Sequence, residues 1–324
     1  MCIRDRIQTN AIILNRLDVL LTFAHLAIQN RYIKPRLSNS PYLKITDSRH
    51  PVVEQLLPSS ERFISNSIDL NTTTNQIHLI TGPNMAGKST YLRQIGLIVL
   101  MAQIGSFVPA KEAEIGIVDH LFTRVGASDN LAGGESTFLV EMIEASNIVH
   151  NATPKSLILL DEIGRGTATF DGLSLAWSIT EYLHNNESVA ARTLFATHYH
   201  ELTKLDKTLE RLENYHASVK ESEDEIIFLK KILPGPGNKS YGIHVAKMAG
   251  LPQIILDRAN EILLHHIKNS KEKGNYLPKG NNDQISIFKE NDKSYLKDLK
   301  HIDINKLTPI EALKILDNLK KKYE

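Results

Sequence analysis

Thiol chemistry is almost absent from this chain: Cys2 is the single cysteine among 324 residues. No intrachain disulfide and no cysteine-based metal centre can be built, and such sparing use favours a reducing compartment. An excess of charge of one sign is missing as well. Lys and Arg number 38 against 37 Asp and Glu, a formal net charge of +1. Charge alone therefore gives no argument for nucleic-acid binding, because a dedicated domain is normally more basic. No uninterrupted apolar run reaches the roughly 18 residues that cross a bilayer. The charged start, Met1-Cys2-Ile3-Arg4-Asp5-Arg6, lacks the apolar core of a secretory leader. These absences predict a soluble, cytoplasmic chain. What is present, 42% hydrophobic and 23% charged residues, supports a globular core and excludes wholesale disorder. The length suits one large domain with appendages, or two domains.

Helical periodicity runs over 7–33, where Ile13, Leu17, Leu20, Leu21, Ala24 and Ile28 recur on one side until Pro35 and the Ser38–Pro41 stretch end it. Between Tyr42 and Thr74 the pattern alternates and carries turn residues, which predicts short strands. From Gln76 the pattern becomes α/β. Apolar runs at Ile77–Thr81, Ser156–Leu160 and Thr193–Ala196 predict buried strands. Helices are predicted from Lys88 to about Ile104, over Phe138–His150 and over Leu173–Asn185. Alternating strands and helices predict an α/β fold with a mostly parallel sheet covered on both faces. Leu251–Ile267 reads as an amphipathic helix with Pro252 in its first turn, and 268–283 as a polar, flexible linker. Thr308-Pro309-Ile310-Glu311 carries the capping signals of a last helix. No internal repeat is visible.

Gly82-Pro83-Asn84-Met85-Ala86-Gly87-Lys88-Ser89 satisfies G-x-x-x-x-G-K-[ST] at every fixed position, between a predicted strand and a predicted helix. The glycines let the backbone wrap closely around phosphate oxygens, and successive N–H groups at the helix N-terminus bind the anion. Lys88 would neutralise charge between β- and γ-phosphates, and Ser89 would ligate Mg2+. Leu157-Ile158-Leu159-Leu160 leads into Asp161-Glu162. Strand ends of a parallel sheet face the ligand crevice, so Asp161 would hold the Mg2+ shell while Glu162 orients or deprotonates the attacking water. Two acids after a strand also simply open a surface loop. His198, after the strand at Arg192–Thr197, could reach the γ-phosphate; a lone histidine is more often structural, and His200 competes with it. Gln103 lies about four helical turns beyond Lys88 and, from the residues alone, is one surface glutamine among several.

TGPNMAGKSTYLRQ, IGSFVPA, STFLVEM, LLDEIGRGTATFDGLSLAW and FATHYHEL follow one another in the order and spacing of the ATPase motifs of the MutS mismatch-repair family. RHPVVE upstream and KSYGIHVAKMAGLP downstream are similar too, so the chain resembles that family from about Ile7 to Glu324. The resemblance implies an ABC-type ATPase in which two subunits sandwich two ATP–Mg2+ and each completes its partner's site. The signature loop would be Asn130–Thr137, with Ser136 on the partner's γ-phosphate, a role compatible with an ordinary N-cap. It further implies a phosphate loop extending to Thr90, Gln103 and His198 as the residues that sense water, metal and γ-phosphate, and Phe63 stacked on adenine. Lys230 stands where some members place a histidine near the base.

The implied organisation is a lever-helix end at 1–36, an ATPase domain at 37–235 and a helix-turn-helix dimer contact at 236–268. A linker at 269–300 carries a candidate sliding-clamp peptide, Gln284–Phe288, and a helix follows at 301–324. The implied partners are a second copy, mismatched double-stranded DNA, a MutL-type protein and the clamp, with no membrane. The family's mismatch-sensing domain with its Phe-x-Glu wedge is not found in the sequence, so nucleotide chemistry is expected without wedge insertion. A different reading is an assembly module that dimerises through Ser240–Ile267 and binds the clamp, with hydrolysis secondary. A DNA-reading helix-turn-helix is disfavoured because the exposed face of Ser240–Ile267 lacks an obvious Arg/Asn/Gln base-reading set. An SMC-like or transporter ABC head is a weaker reading, since neither long coiled-coil arms nor membrane partners are evident.

Overall fold

The computed structural model describes residues 3–58, 60–83, 85–125, 136–221, 226–237 and 241–272. Met1–Leu256 form one unit and Asp257–Glu324 another. The elements of the first are, in order, α1 (Ile3–Asn30), β1 (Arg36–Ser38), β2 (Leu43–Ser48), α2 (Val53–Leu56), β3 (Asn66–Leu70), β4 (Ile77–Thr81), α3 (Lys88–Gln103), β5 (Glu112–Gly116), β6 (Leu121–Arg124), α4 (Thr137–Asn151), β7 (Leu157–Asp161), α5 (Thr169–Asn185), β8 (Arg192–Ala196), a 3₁₀ helix (His200–Lys207), β9 (Leu212–Glu221), β10 (Ile226–Pro234) and α6 (Gly242–Met248). Helix α7, Gln253–Glu272, crosses into the second unit.

Six strands form the main sheet in the order β10-β9-β4-β8-β7-β6, parallel throughout except for the antiparallel β10–β9 pair. Its central strands are buried on both faces, which is why they read as unbroken apolar runs. The pleat sorts their side chains strictly. Leu157 and Leu159 of β7 and Leu194 and Ala196 of β8 enter one core, which α3 covers with Leu92, Ile95 and Ile98. Ile158, Leu160 and Phe195 enter the other, covered by Ile148 of α4 and by Ala176 and Leu183 of α5.

A second sheet, β1-β5-β2-β3, adds Leu43, Ile45, Ile68 and Leu70 to the α3 core. Arg192, only 1% exposed, ties its β5 end to the main sheet by donating to the carbonyls of Gly116 (3.1 Å), Ile117 (3.2 Å) and Lys155 (2.7 Å).

The α/β expectation holds, with several boundary differences. The first helix ends at Asn30 because Arg31 takes φ 55° and Ile33 leaves to pair with Val108 by mutual N–H···O bonds of 2.9 Å. Helix α7 runs on to Glu272 where a linker from 268 was expected, since no Gly or Pro interrupts 253–272. The β9–β10 hairpin carries polar residues and irregular pairing that hid it from the sequence pattern.

No uninterrupted apolar run spans a bilayer, yet one helix is apolar enough on average to do so. Helix α1 is 28 residues long with a mean hydropathy of 1.6 over its most apolar 18-residue window, enough by length and composition to cross a membrane. Arg16 and Asp18 interrupt its apolar run without lowering that average sufficiently. Only Ala27 of this helix is buried, and Ile7, Leu14, Leu17, Leu20, Leu21 and Ile28 are all exposed. Asn84, 130–135, Gln284–Phe288 and Thr308–Glu311 lie outside the described residues.

Candidate functional site

Strand β8 lies between β4 and β7, and all three run parallel. Ala196 at its end is level with Ile80 of β4 and with Asp161 of β7. The segments leaving these three strands therefore emerge together: the phosphate loop after β4, the acidic pair at the end of β7 and His198 after β8. The carboxyl edge of a parallel sheet is where such folds place their ligands.

The phosphate loop closes tightly onto the N-terminus of α3. Gly87 precedes the helix at φ 95°, a left-handed conformation that glycine adopts without penalty. Met85 takes φ 69° and is two-thirds exposed. Ala86 is fully buried beneath the loop. Lys88 opens α3, is 3% exposed, and donates from Nζ to the carbonyls of Gly82 (2.6 Å) and Pro83 (2.9 Å).

Burial lowers the Lys88 pKa to about 8, against the opposing pull of the Glu162 and Asp161 carboxylates. A polyphosphate would favour the charged form and raise that value. Below about pH 8 the ammonium is already charged, whereas above it each binding event must take up a proton. Affinity for a non-hydrolysable triphosphate should thus be level up to about pH 7.5 and weaken towards tenfold per pH unit above about 8. Titration calorimetry across this range checks it, and a level profile through about pH 9.5 would exclude a free-state pKa this low.

The two adjacent acids have opposite electrostatic environments. Asp161 is 8% exposed, and burial raises its pKa despite a hydrogen bond from the Ser89 hydroxyl. Its Oδ1 has no hydrogen-bond partner among the protein atoms. An orphaned, buried carboxylate oxygen beside a serine hydroxyl fits a divalent cation that takes its remaining oxygens from water and phosphate, as Mg2+ does. Among the described residues no group of three His, Cys, Asp or Glu could hold a metal alone.

Glu162 stands at φ 58°, a conformation costly for a non-glycine residue and typical of functional turns. His198 Nε2 lies 2.5 Å from its Oε1 and Arg165 Nη1 lies 2.6 Å from its Oε2. The His198 bond, reinforced by the charges of Arg165 and Lys88, depresses the Glu162 pKa to about 2.

Two cavities flank this edge, and Gly82 and Pro83 contribute to only the second and to both respectively. The first, of about 510 Å3, is lined by Phe63, Lys88, Ser89, Thr90 and Lys230 among others, with Met85 and Gly87 at its loop side. Its size and mixed lining suit a nucleotide. Its far wall is an irregularity in β10, where Lys230 takes φ 54° and pairing with β9 shifts between Phe228 and Ile232. Asn66 braces that irregularity from β3, donating to the Lys230 carbonyl (3.0 Å) and accepting from the Ile232 N–H (2.8 Å). The second cavity, about 550 Å3, is lined by Glu162, Arg165, Thr167, His198, His200 and Tyr241 among others.

Most of the expected site residues thus converge, but two do not. Gln103 closes the far end of α3, about 22 Å along the axis from Lys88 at 1.5 Å per residue. Its side chain is bound to Val118, donating to the carbonyl at 3.0 Å and accepting from the N–H at 2.6 Å. The placement of Gln103 near metal or water is therefore corrected: helix length separates it from them. Ser136 is exposed at the N-cap of α4 without a side-chain cap bond and lines neither cavity. Arg165, Asn66 and Tyr199 were not singled out from the sequence. Arg165 lies within the quoted DEIGRGT run and Tyr199 within FATHYHEL, whereas Asn66 belongs to none of the quoted runs.

A family model described as MutS domain V matches residues 78–267. The DNA mismatch repair protein MutS of Bacteroides fragilis is 50% identical over 325 residues, covering 97% of this chain and 38% of that protein. The protein of the same name from Christiangramia forsetii is 51% identical over 324 residues, covering 98% of this chain and 37% of its own length. That of Clostridium botulinum strain Hall is 58% identical over 268 residues, 83% of this chain and 28% of the relative. The chain thus spans less than two-fifths of the length of these relatives. Since the domain model takes in β4, the phosphate loop, the acidic pair and His198 within one continuous match, the chain belongs to the MutS family.

Proposed function

We propose that this chain binds ATP with Mg2+ and hydrolyses it to ADP and phosphate, and that within a longer mismatch-repair protein this cycle drives clamp movements on mismatched double-stranded DNA. The observation that carries the reading is the meeting of Lys88, Ser89, Asp161, Glu162 and His198 at three adjacent parallel strand ends. Phe63 and Lys230 would flank the base in the first cavity. The loop N–H groups and Lys88 would take the phosphates, with Lys88 exchanging its two carbonyl partners for phosphate oxygens. Ser89 and Asp161 would hold Mg2+, which when bound neutralises charge on the β- and γ-oxygens. Glu162, ionised at neutral pH, would align the attacking water, and His198 would hold the carboxylate in place.

Ser136 would serve a partner subunit's nucleotide, in keeping with its exposure and its absence from the lining of both cavities. The exposed apolar residues Ile254, Ile255 and Leu264 of α7 support the proposed dimer contact. A MutL-type partner, and clamp binding through Gln284–Phe288, complete the proposed set. Helix α1 lies largely within the stretch aligned with mismatch-repair relatives, which favours its exposed leucines and isoleucines as a packing surface over a membrane anchor. The test is phosphate release from ATP by the purified chain. Release is expected with Mg2+ and should vanish on chelation with EDTA; a chain that binds ATP and Mg2+ but never releases phosphate would favour the assembly-module reading.

A further inference from the structure

The turn that carries Glu162 is gripped by two side chains that the proposed mechanism does not use. Its Gly164 N–H donates to Oε1 of Glu141, and its Gly164 carbonyl accepts from Tyr199 Oη at 2.8 Å. Gly164 takes φ 89° and lies against Gly172 of α5, with no room for a Cβ. Glu141 belongs to α4, the helix that Ser136 opens, and Tyr199 directly follows His198. A second contact joins the same pieces: a Cβ at Gly166 would meet Phe138 Cβ, in the first turn of α4, at 3.0 Å.

Glu141 is a costly residue to place here. It is 4% exposed, and buried carboxylates persist where charge and hydrogen bonds are matched. Arg124, 7% exposed, supplies the charge, with Nη2 at 3.5 Å from Glu141 and Nε at 3.1 Å from Glu144. One carboxylate oxygen thus faces the arginine and the other is aimed at a single backbone N–H two residues beyond Glu162.

We propose that Glu141 is a positioning residue for hydrolysis, which together with Tyr199 fixes the Gly164 peptide and so ties the orientation of Glu162 to the placement of helix α4. A shift of α4, whose first turn begins at the exposed Ser136, then moves the turn bearing the water-aligning carboxylate. The inference rests on the hydrolytic reading of Glu162. It adds a path by which events at the tip of α4 set the rate at this chain's own site.

The variants Glu141→Ala, Glu141→Gln and Tyr199→Phe in the full chain separate positioning from bulk structure. Glutamine keeps an oxygen that accepts from Gly164 N–H and loses only the charge facing Arg124. Glu141→Ala is expected to lower kcat by about 10- to 100-fold with little change in KM or in the Kd of a non-hydrolysable analogue. Glu141→Gln should restore most of that loss, and Tyr199→Phe should reproduce part of it without disturbing a buried charge. Amide exchange in the Glu162–Thr167 segment should quicken in Glu141→Ala and remain near wild type in Glu141→Gln. Wild-type kcat in Glu141→Ala, or equal damage in the alanine and glutamine variants, would overturn the proposal. If the unaltered chain releases no phosphate, the hydrolytic reading fails by itself, and the exchange measurement still decides whether Glu141 holds the turn.

Discussion

Replacing Lys88 with alanine is expected to weaken binding of a fluorescent ATP analogue by at least about 100-fold, or roughly 2.7 kcal/mol, and so to abolish it at working concentrations. The size follows from where the ammonium sits. It is 3% exposed at the base of the loop, so its attraction for phosphate is little screened by water. Truncating one partner of a desolvated, hydrogen-bonded charge pair costs about 2–5 kcal/mol in comparable complexes. Lys88 also holds the Gly82 and Pro83 carbonyls, so alanine would leave two polar groups of the loop without their donor. Thermal unfolding of the variant separates loss of grip from loss of fold, and binding within threefold of wild type by a folded variant would remove Lys88 from the phosphate site.

Replacing Glu162 with glutamine is expected to have the opposite signature: nucleotide affinity kept and turnover lowered by about 100- to 1000-fold. The carboxylate lies between His198 and Arg165, and its pKa of about 2 keeps it ionised throughout the neutral range. So acidic a group is a weak proton acceptor, and its contribution lies chiefly in aligning the water and polarising it. Glutamine retains the shape but loses the charge that His198 and Arg165 address. Single-turnover phosphate release, compared with analogue binding on the same preparation, gives the two numbers. Turnover unchanged in Glu162→Gln would mean that another group aligns the water.

What could be read from the residues were the features that local physics dictates. Strands β4, β7 and β8 are buried on both faces, so their sequences are apolar without alternation, and the loop glycine before Lys88 marks a turn that few other residues tolerate. The same reasoning placed Asp161, Glu162 and His198 at strand ends. It failed where distance in three dimensions decides. Spacing and resemblance put Gln103 near the chemistry, but a regular helix carries it away and Val118 binds its amide. It passed over Glu141, which lies inside the STFLVEM run, because its pairing with Gly164 spans 23 residues of sequence and no spacing announces it. The periodicity over 7–33 marks helix α1 itself, but its high average hydropathy is concealed because Arg16 and Asp18 break the apolar run.

One wall of the first cavity comes from Phe63, just before strand β3 of the small sheet, and the facing wall from Lys230 of the main sheet; a single side-chain amide spans the 164 residues between Asn66 and Lys230. A ligand seated there would touch both sheets at once, like a rivet through two plates.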